Sequence, residues 1–164
     1  MRLTHQVDGY PRYLPADLTS FLSDSAELAA WVAESSDNVI VGHIALHAGV
    51  GDPAALVAGP AAGLAPQQLA VVARLMVHPE VRRRGVARRL LAAATDHAHA
   101  HRLTPVLDVL KESEPALSLY EDLGWKRAGA LTLPITAHES LQLMGLPRPQ
   151  LREPVRSSVS TGLG

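Results

Sequence analysis

The chain has 164 residues, a formal net charge of −1 and no cysteine. Its length suits one domain with a substantial core. The near balance of 15 basic against 16 acidic side chains argues against a dedicated nucleic-acid binder, which carries a clear basic excess. Without cysteine there is no disulfide, thiolate nucleophile or cysteine-bound zinc. No apolar run reaches membrane-spanning length. The opening M-R-L-T-H-Q-V-D-G-Y-P has no apolar segment of signal-peptide length. The cytoplasm is the expected compartment, with no membrane partner.

Residues 1–24 are irregular and punctuated by proline, with Asp17 placed to cap a short helix over 18–22. Residues 28–34, L-A-A-W-V-A-E, read as a strand. The turn Ser35-Ser36-Asp37-Asn38 joins it to a second strand over 39–47, making a hairpin. Residues 49–66 are rich in Gly, Ala and Pro and almost uncharged, which reads as a long mobile loop. The apolar run 69–77 predicts a third, central strand, antiparallel to the second. A helix over 85–101 follows. Ala87, Leu90, Leu91, Ala94 and Ala98 share its apolar face, and Arg88, Thr95, Asp96, His99 and Arg102 the polar one. Residues 105–110, P-V-L-D-V-L, form a strand that a right-handed crossover sets parallel to the third. Ser113 is placed as the N-cap of the next helix, Pro115 falls in its first turn, and Gly124 takes its C′ position. A final hairpin is expected from 125–133 and 140–146. The domain spans 1–146, and 147–164 is expected to be a disordered tail.

The chain is organised around 75–91, L-M-V-H-P-E-V-R-R-R-G-V-A-R-R-L-L. An apolar strand ends at Val77, a short turn follows, and Gly85 and Ala87 open a helix. Small residues there let a ligand approach the backbone. The first helical N–H groups have no internal partner and, with the helix dipole, favour an anion such as pyrophosphate. Arg82, Arg83 and Arg84 surround that point with permanent positive charge. Neither G-K-[ST] nor G-x-G-x-x-G is present, so this is not a Walker loop or a dinucleotide fingerprint.

This stretch resembles the acetyl-CoA pyrophosphate loop of the GNAT superfamily of N-acetyltransferases, with Arg82, Gly85 and Ala87 on its pattern. A second segment, A-L-S-L-Y-E-D-L-G-W, is similar to another family motif through Ala116, Leu119, Tyr120, Glu121, Gly124 and Trp125. The resemblance implies an α/β fold of three layers. Its mixed, mostly antiparallel sheet is splayed at the centre, with helices on both faces and acetyl-CoA in the V between the strands ending at Val77 and Leu110. It further implies that Leu75, Met76 and Val77 meet the acetyl group through the backbone. Arg82, Arg83, Arg84, Gly85, Val86 and Ala87 would hold the pyrophosphate, Arg88 would face solvent or the adenosine 3′-phosphate, and Ser113 and Tyr120 would lie beside the co-substrate. Ser113 stands where the family often has Asn, and its reach is shorter.

Spacing alone reads Tyr120 as a packed tyrosine. The resemblance implies that it protonates the departing thiolate from the start of its helix. A base is also wanted, because a free alkyl amine is mostly protonated at neutral pH. The strand before the loop has no carboxylate, so the candidates are Asp108, His43, His47, His78, Glu34 or a water chain. No single essential base is expected, and Asp108→Asn, His43→Ala and His78→Ala should each cost less than about a hundredfold. His97 and His101, at i and i+4, could face a metal, but with no third ligand they read as a solvated helix end and no metal is expected. The arginine cluster lacks interleaved aromatics, so no nucleic-acid partner is expected. About 27 residues precede the first hairpin, less than the family usually has, which leaves two expectations open, a shortened amino-terminal part or a misplaced start codon. An edge exposed at 28–34 would favour a homodimer or another cover. The expected function is acetyl transfer from acetyl-CoA to a primary amine of a small molecule or peptide. The alternatives are a non-catalytic acyl-CoA-binding sensor or scaffold and, more remotely, a basic nucleic-acid-associated protein.

Overall fold

The computed structural model describes residues 6–7, 25–132 and 140–145. The expected helix over 18–22 and the tail over 147–164 lie outside these residues. The elements in order are β1 (Glu27–Glu34), β2 (Ile40–Ala48), α1 (Pro53–Ala62), β3 (Leu69–Val77), α2 (Val86–Ala100), β4 (Thr104–Leu110), α3 (Glu114–Asp122), β5 (Lys126–Thr132) and β6 (Ser140–Gly145). They form one mixed sheet in the order β1-β2-β3-β4-β6-β5. β3 and β4 run parallel, as the crossover through α2 requires, and the other described pairs are antiparallel. The closing hairpin folds back so that β6, not β5, lies beside β4.

The sheet divides its side chains between two cores, because strand residues alternate faces. On one face Ile44, Leu46, Val72, Leu107 and Val109 pack with Leu90, Leu91 and Ala94 of α2 and Leu117 and Tyr120 of α3. On the other, Val71 and Val106 pack with Ala54, Ala55 and Ala58 of α1. The expected polar face of α2 is wrong at one position. Thr95 is buried, because its hydroxyl donates back to the Leu91 carbonyl at 2.8 Å and needs no water.

The long mobile loop expected over 49–66 is instead built around a helix. Asp52 caps it, accepting from the Ala54 N–H at 2.8 Å. Pro53 opens the first turn with its φ already helical. Gly63, at φ +66, closes the far end by donating to the Gly59 and Pro60 carbonyls. Gly59 and Pro60, the residues that argue for a loop, fall in the last turn. There the missing proline N–H removes one bond from a helix that packing against β3 and β4 already holds.

Candidate active site

The site begins with a break in the sheet. β3 and β4 pair only at Leu69–Thr104, Ala70–Pro105 and Val71–Val106. Beyond Val71 and Val106 the two parallel strands share no further pair, so a wedge opens toward their carboxyl ends. β3 is also deflected on its other side. Its pairing with β2 steps from Ala45–Ala73 to His43–Met76, leaving Arg74 and Leu75 opposite Ile44 as a bulge. Arg74 adopts φ +56, an uncommon left-handed conformation for a residue with a side chain. Leu75, Met76 and Val77 follow the bulge along this wall of the wedge.

The loop expected to bind phosphate stands at the end of the same wall. The chain leaves Val77, passes a 3-10 turn at Pro79–Val81 and reaches Arg83 (φ +59) and Gly85 (φ +77). Gly85 is the N-cap of α2, no side chain caps it, and the first turn holds no acid. The amides of Val86, Ala87 and Arg88 therefore point out of the helix end without an intrahelical acceptor. Arg83, Arg84 and Arg88 are exposed. Arg88 bridges to Asp122 at 3.2 Å, tying α2 to α3. Arg82 turns inward, and its Nε and Nη2 each lie 3.2 Å from the Val77 carbonyl, to which they donate. Arg82 thus fixes the path of the loop as it leaves the strand, a contact that sequence reasoning does not anticipate. This uncapped, acid-free and arginine-rimmed end fits the pyrophosphate of a nucleotide co-substrate.

The opposite wall carries β4 and α3. Ser113 occupies the N-cap position of α3, but its side chain makes no capping bond. Tyr120 lies in the last turn of α3 rather than at its start. The residue is 8% exposed, and its ring sits 5.9 Å from that of Trp125. It belongs to the same core as Val109 and the α2 leucines, with Leu75 and Val77 packed against that core.

The base candidates separate. Glu34 ends the edge strand and is exposed, and His47 is buried in β2. His78 sits beyond β3, its N–H bonded to the Val41 carbonyl. His43 Nδ1 donates to the Arg74 carbonyl at 3.2 Å. Asp108 alone is a carboxylate on either wall strand, since L-A-V-V-A-R-L-M-V has none and T-P-V-L-D-V-L has one. It lies beyond the last β3–β4 pair, two residues from Val106 and hence on the face that carries α1. The residue is exposed, yet its carboxyl is crowded by neighbouring atoms. That desolvation, followed by repulsion from the Asp52 carboxylate, raises its pKa above the ordinary value of 3.8, against a smaller lowering by its own backbone hydrogen bond.

On the α1 face a cavity of about 490 Å³ is lined by Ala58, Leu64, Thr104, Val106, Lys126 and Gly145 among others. It is invisible to the sequence reading because α1 forms its wall. His97 and His101 stack at 4.2 Å and Trp31 abuts His97. No group of three metal-ligating side chains occurs among the described residues, and no helix among them is long and apolar enough to cross a membrane.

Comparison with known proteins bears on this geometry. Residues 2–125 match the Acetyltransferase (GNAT) family profile. No curated protein sequence matches significantly. Among solved structures, the chain is similar to the ribosomal-protein-S18-alanine N-acetyltransferase from Escherichia coli, at 19% identity and TM-score 0.60 over 82% of this chain and 79% of that one. A protein of Bacillus anthracis str. Ames assigned as a streptothricin acetyltransferase, solved with acetyl coenzyme A, matches at 20% identity and TM-score 0.60 over 82% of this chain and 69% of that one. Nourseothricin acetyltransferase matches at 24% and 0.59, over 83% and 75%. These likenesses speak for the fold, while the family profile spans most of the sequence. The chain belongs to the GNAT acetyltransferase family, whose acetyl donor is acetyl-CoA.

Proposed function

We propose that the chain acetylates a primary amine of a small molecule or peptide by direct attack, using the wedge between β3 and β4. The observation that carries this is the alignment of three features along β3. The strand parts from β4 after Val71, bulges at Arg74, and runs into the uncapped start of α2. In this reading the amides from Gly85 to Arg88 hold the pyrophosphate, with Arg83 and Arg84 screening its charge. A backbone N–H among Leu75, Met76 and Val77 steadies the acetyl oxygen as it gains charge. Ser113 lies beside the co-substrate where α3 begins. Asp108 accepts the proton of the amine as its nitrogen bonds to the acetyl carbon. Tyr120 donates a proton to the sulfur as the carbon–sulfur bond breaks. The cytoplasm is the compartment this reading assigns to the reaction.

Calorimetry with acetyl-CoA tests the loop. Gly85→Glu adds a negative charge and a side chain at φ +77. Ala87→Asp adds charge at a place where an acid stabilises a helix. Its melting temperature should hold while acetyl-CoA affinity drops about tenfold or more, as two like charges brought close would require. Unchanged affinity in both variants would remove the assignment. Tight binding with no thiol release across a panel of amines would favour the sensor reading instead.

Assembly is a separate element of the proposal. β1 is an edge of the described sheet, with Leu28 and Val32 47% and 49% exposed. An apolar edge of this kind supports pairing with a second copy. Sedimentation equilibrium should then find a dimer that Val32→Lys converts to monomer. A wild-type monomer at micromolar concentration would refute the pairing.

A further inference from the structure

The bulge in β3 is an unfavourable local conformation, and the side chains around it come from three strands. Arg74 holds φ +56, a strained conformation for a non-glycine residue that persists only where its surroundings impose it. Its guanidinium is drawn back across the sheet, with Nη1 3.9 Å from Glu27 Oε2 and side chains only 11% and 24% exposed. Glu27 reaches that position because β1 has its own irregularity. The pairing steps from Glu27–His47 to Ala29–Leu46, which turns Glu27 to the α1 face beside His47. Glu27 Oε2 is buried and has no hydrogen-bond partner among the described residues, so the guanidinium charge is what offsets its loss of water. On the other side of Arg74, its carbonyl accepts from His43 Nδ1 at 3.2 Å. A carbonyl cannot donate, so this nitrogen carries the proton. β1, β2 and β3 each contribute one side chain to the same deflection.

We propose that Arg74, Glu27 and His43 are positioning residues that hold the β3 bulge in the shape presenting the Leu75–Val77 backbone to the acetyl oxygen. This rests on the role proposed above for that backbone. None of the three needs to touch either substrate. What matters at position 74 is a left-handed backbone, and the side chain is the means of holding it there.

Glycine separates the two roles, because it adopts positive φ freely whereas alanine does not. Arg74→Ala should lower kcat about tenfold, a fraction of the 10²–10³ lost when such a donor is removed outright. The KM for acetyl-CoA should change less than about twofold, since uniform binding is untouched. Arg74→Gly should recover most of the rate, to within about threefold of wild type. Glu27→Gln should slow turnover on its own, and the double variant with Arg74→Ala should be no slower than Arg74→Ala alone, as for members of one unit. Arg74→Gly as slow as Arg74→Ala would overturn the proposal and make the guanidinium a substrate contact. Additive losses in the double variant would also overturn it. If Arg74→Ala fails to fold, Arg74→Gly and Glu27→Gln still decide, because a glycine variant slowed tenfold refutes the positioning role. Amide resonances of Leu75, Met76 and Val77, followed during acetyl-CoA titration of the wild type, judge the underlying reading separately. If they stay still, the oxyanion role fails whatever the order of the variants.

Discussion

Tyr120→Phe should slow acetyl transfer at least about a hundredfold, the lower end of what a positioned proton donor contributes and about 2.7 kcal/mol of barrier. The ring remains and only the hydroxyl is lost. Tyr120 is buried beside Trp125 in the core shared by α2, α3 and the sheet, so the phenylalanine ring fills the same space. Acetyl-CoA affinity should barely change, and stability should shift by no more than the roughly 1 kcal/mol of one hydrogen bond. The loss should appear equally in kcat and kcat/KM, as for an interaction made only in the transition state. Thiol release with an accepted amine, or slow hydrolysis of acetyl-CoA in its place, provides the measurement. A variant that turns over at the wild-type rate would leave Tyr120 as a packing residue and remove the acid from the mechanism.

The second large effect concerns Asp108, and its two consequences have opposite signs. As the base, Asp108→Asn should lower kcat/KM by about 10²–10⁴, more than the sequence alone leads one to expect of any single candidate. As a carboxylate whose folded pKa is raised, it works against the fold when ionised. The folded protein holds this proton more tightly than the unfolded chain. Stability is therefore lost as pH climbs from the unfolded value of 3.8 through the raised one. The asparagine variant escapes that loss and should melt higher than wild type at neutral pH, while being far slower. For the wild type, the acidic limb of kcat/KM should follow the raised pKa of Asp108, rising with pH. Asp52→Asn removes the repelling charge but keeps a side-chain oxygen to cap α1, so that limb should move to lower pH. A pH profile unmoved by Asp52→Asn, or an Asp108→Asn variant of near-normal rate, would return the base to another group.

Much of this was legible because local signals agreed. The apolar run at 69–77, the glycine that opens α2 and the Gly124 that follows α3 at φ +86 each mark an element boundary by one strong preference. The parallel pairing of β3 and β4 followed from handedness. α1 was missed because Gly59 and Pro60 lower helix propensity. The Asp52 cap and the αL glycine at 63 were present in the sequence but outweighed, and only packing on Val71 and Val106 settles the competition. The bulge at Arg74 had no sequence signal, since arginine is not a residue that favours positive φ. Its cause is tertiary and lies in Glu27 and His43, 47 and 31 positions away in sequence. Arg82 carried the right motif, yet which way its guanidinium turns depends on the Val77 carbonyl that accepts from it.

The short pairing of β3 with β4 has a mechanical meaning as well. Three residue pairs are all that stitch β1-β2-β3 to β4-β6-β5, so the sheet is two panels joined by a seam. The helices on either face span that seam, but nothing in the backbone ladder closes its open end. A ligand wedged there acts as a splint between the panels. Heat or pulling force should open the molecule along this line first. Acetyl-CoA at a hundred times its dissociation constant should resist that opening by about 2.7 kcal/mol, which makes the empty enzyme the more pliable form and the loaded one the stiffer.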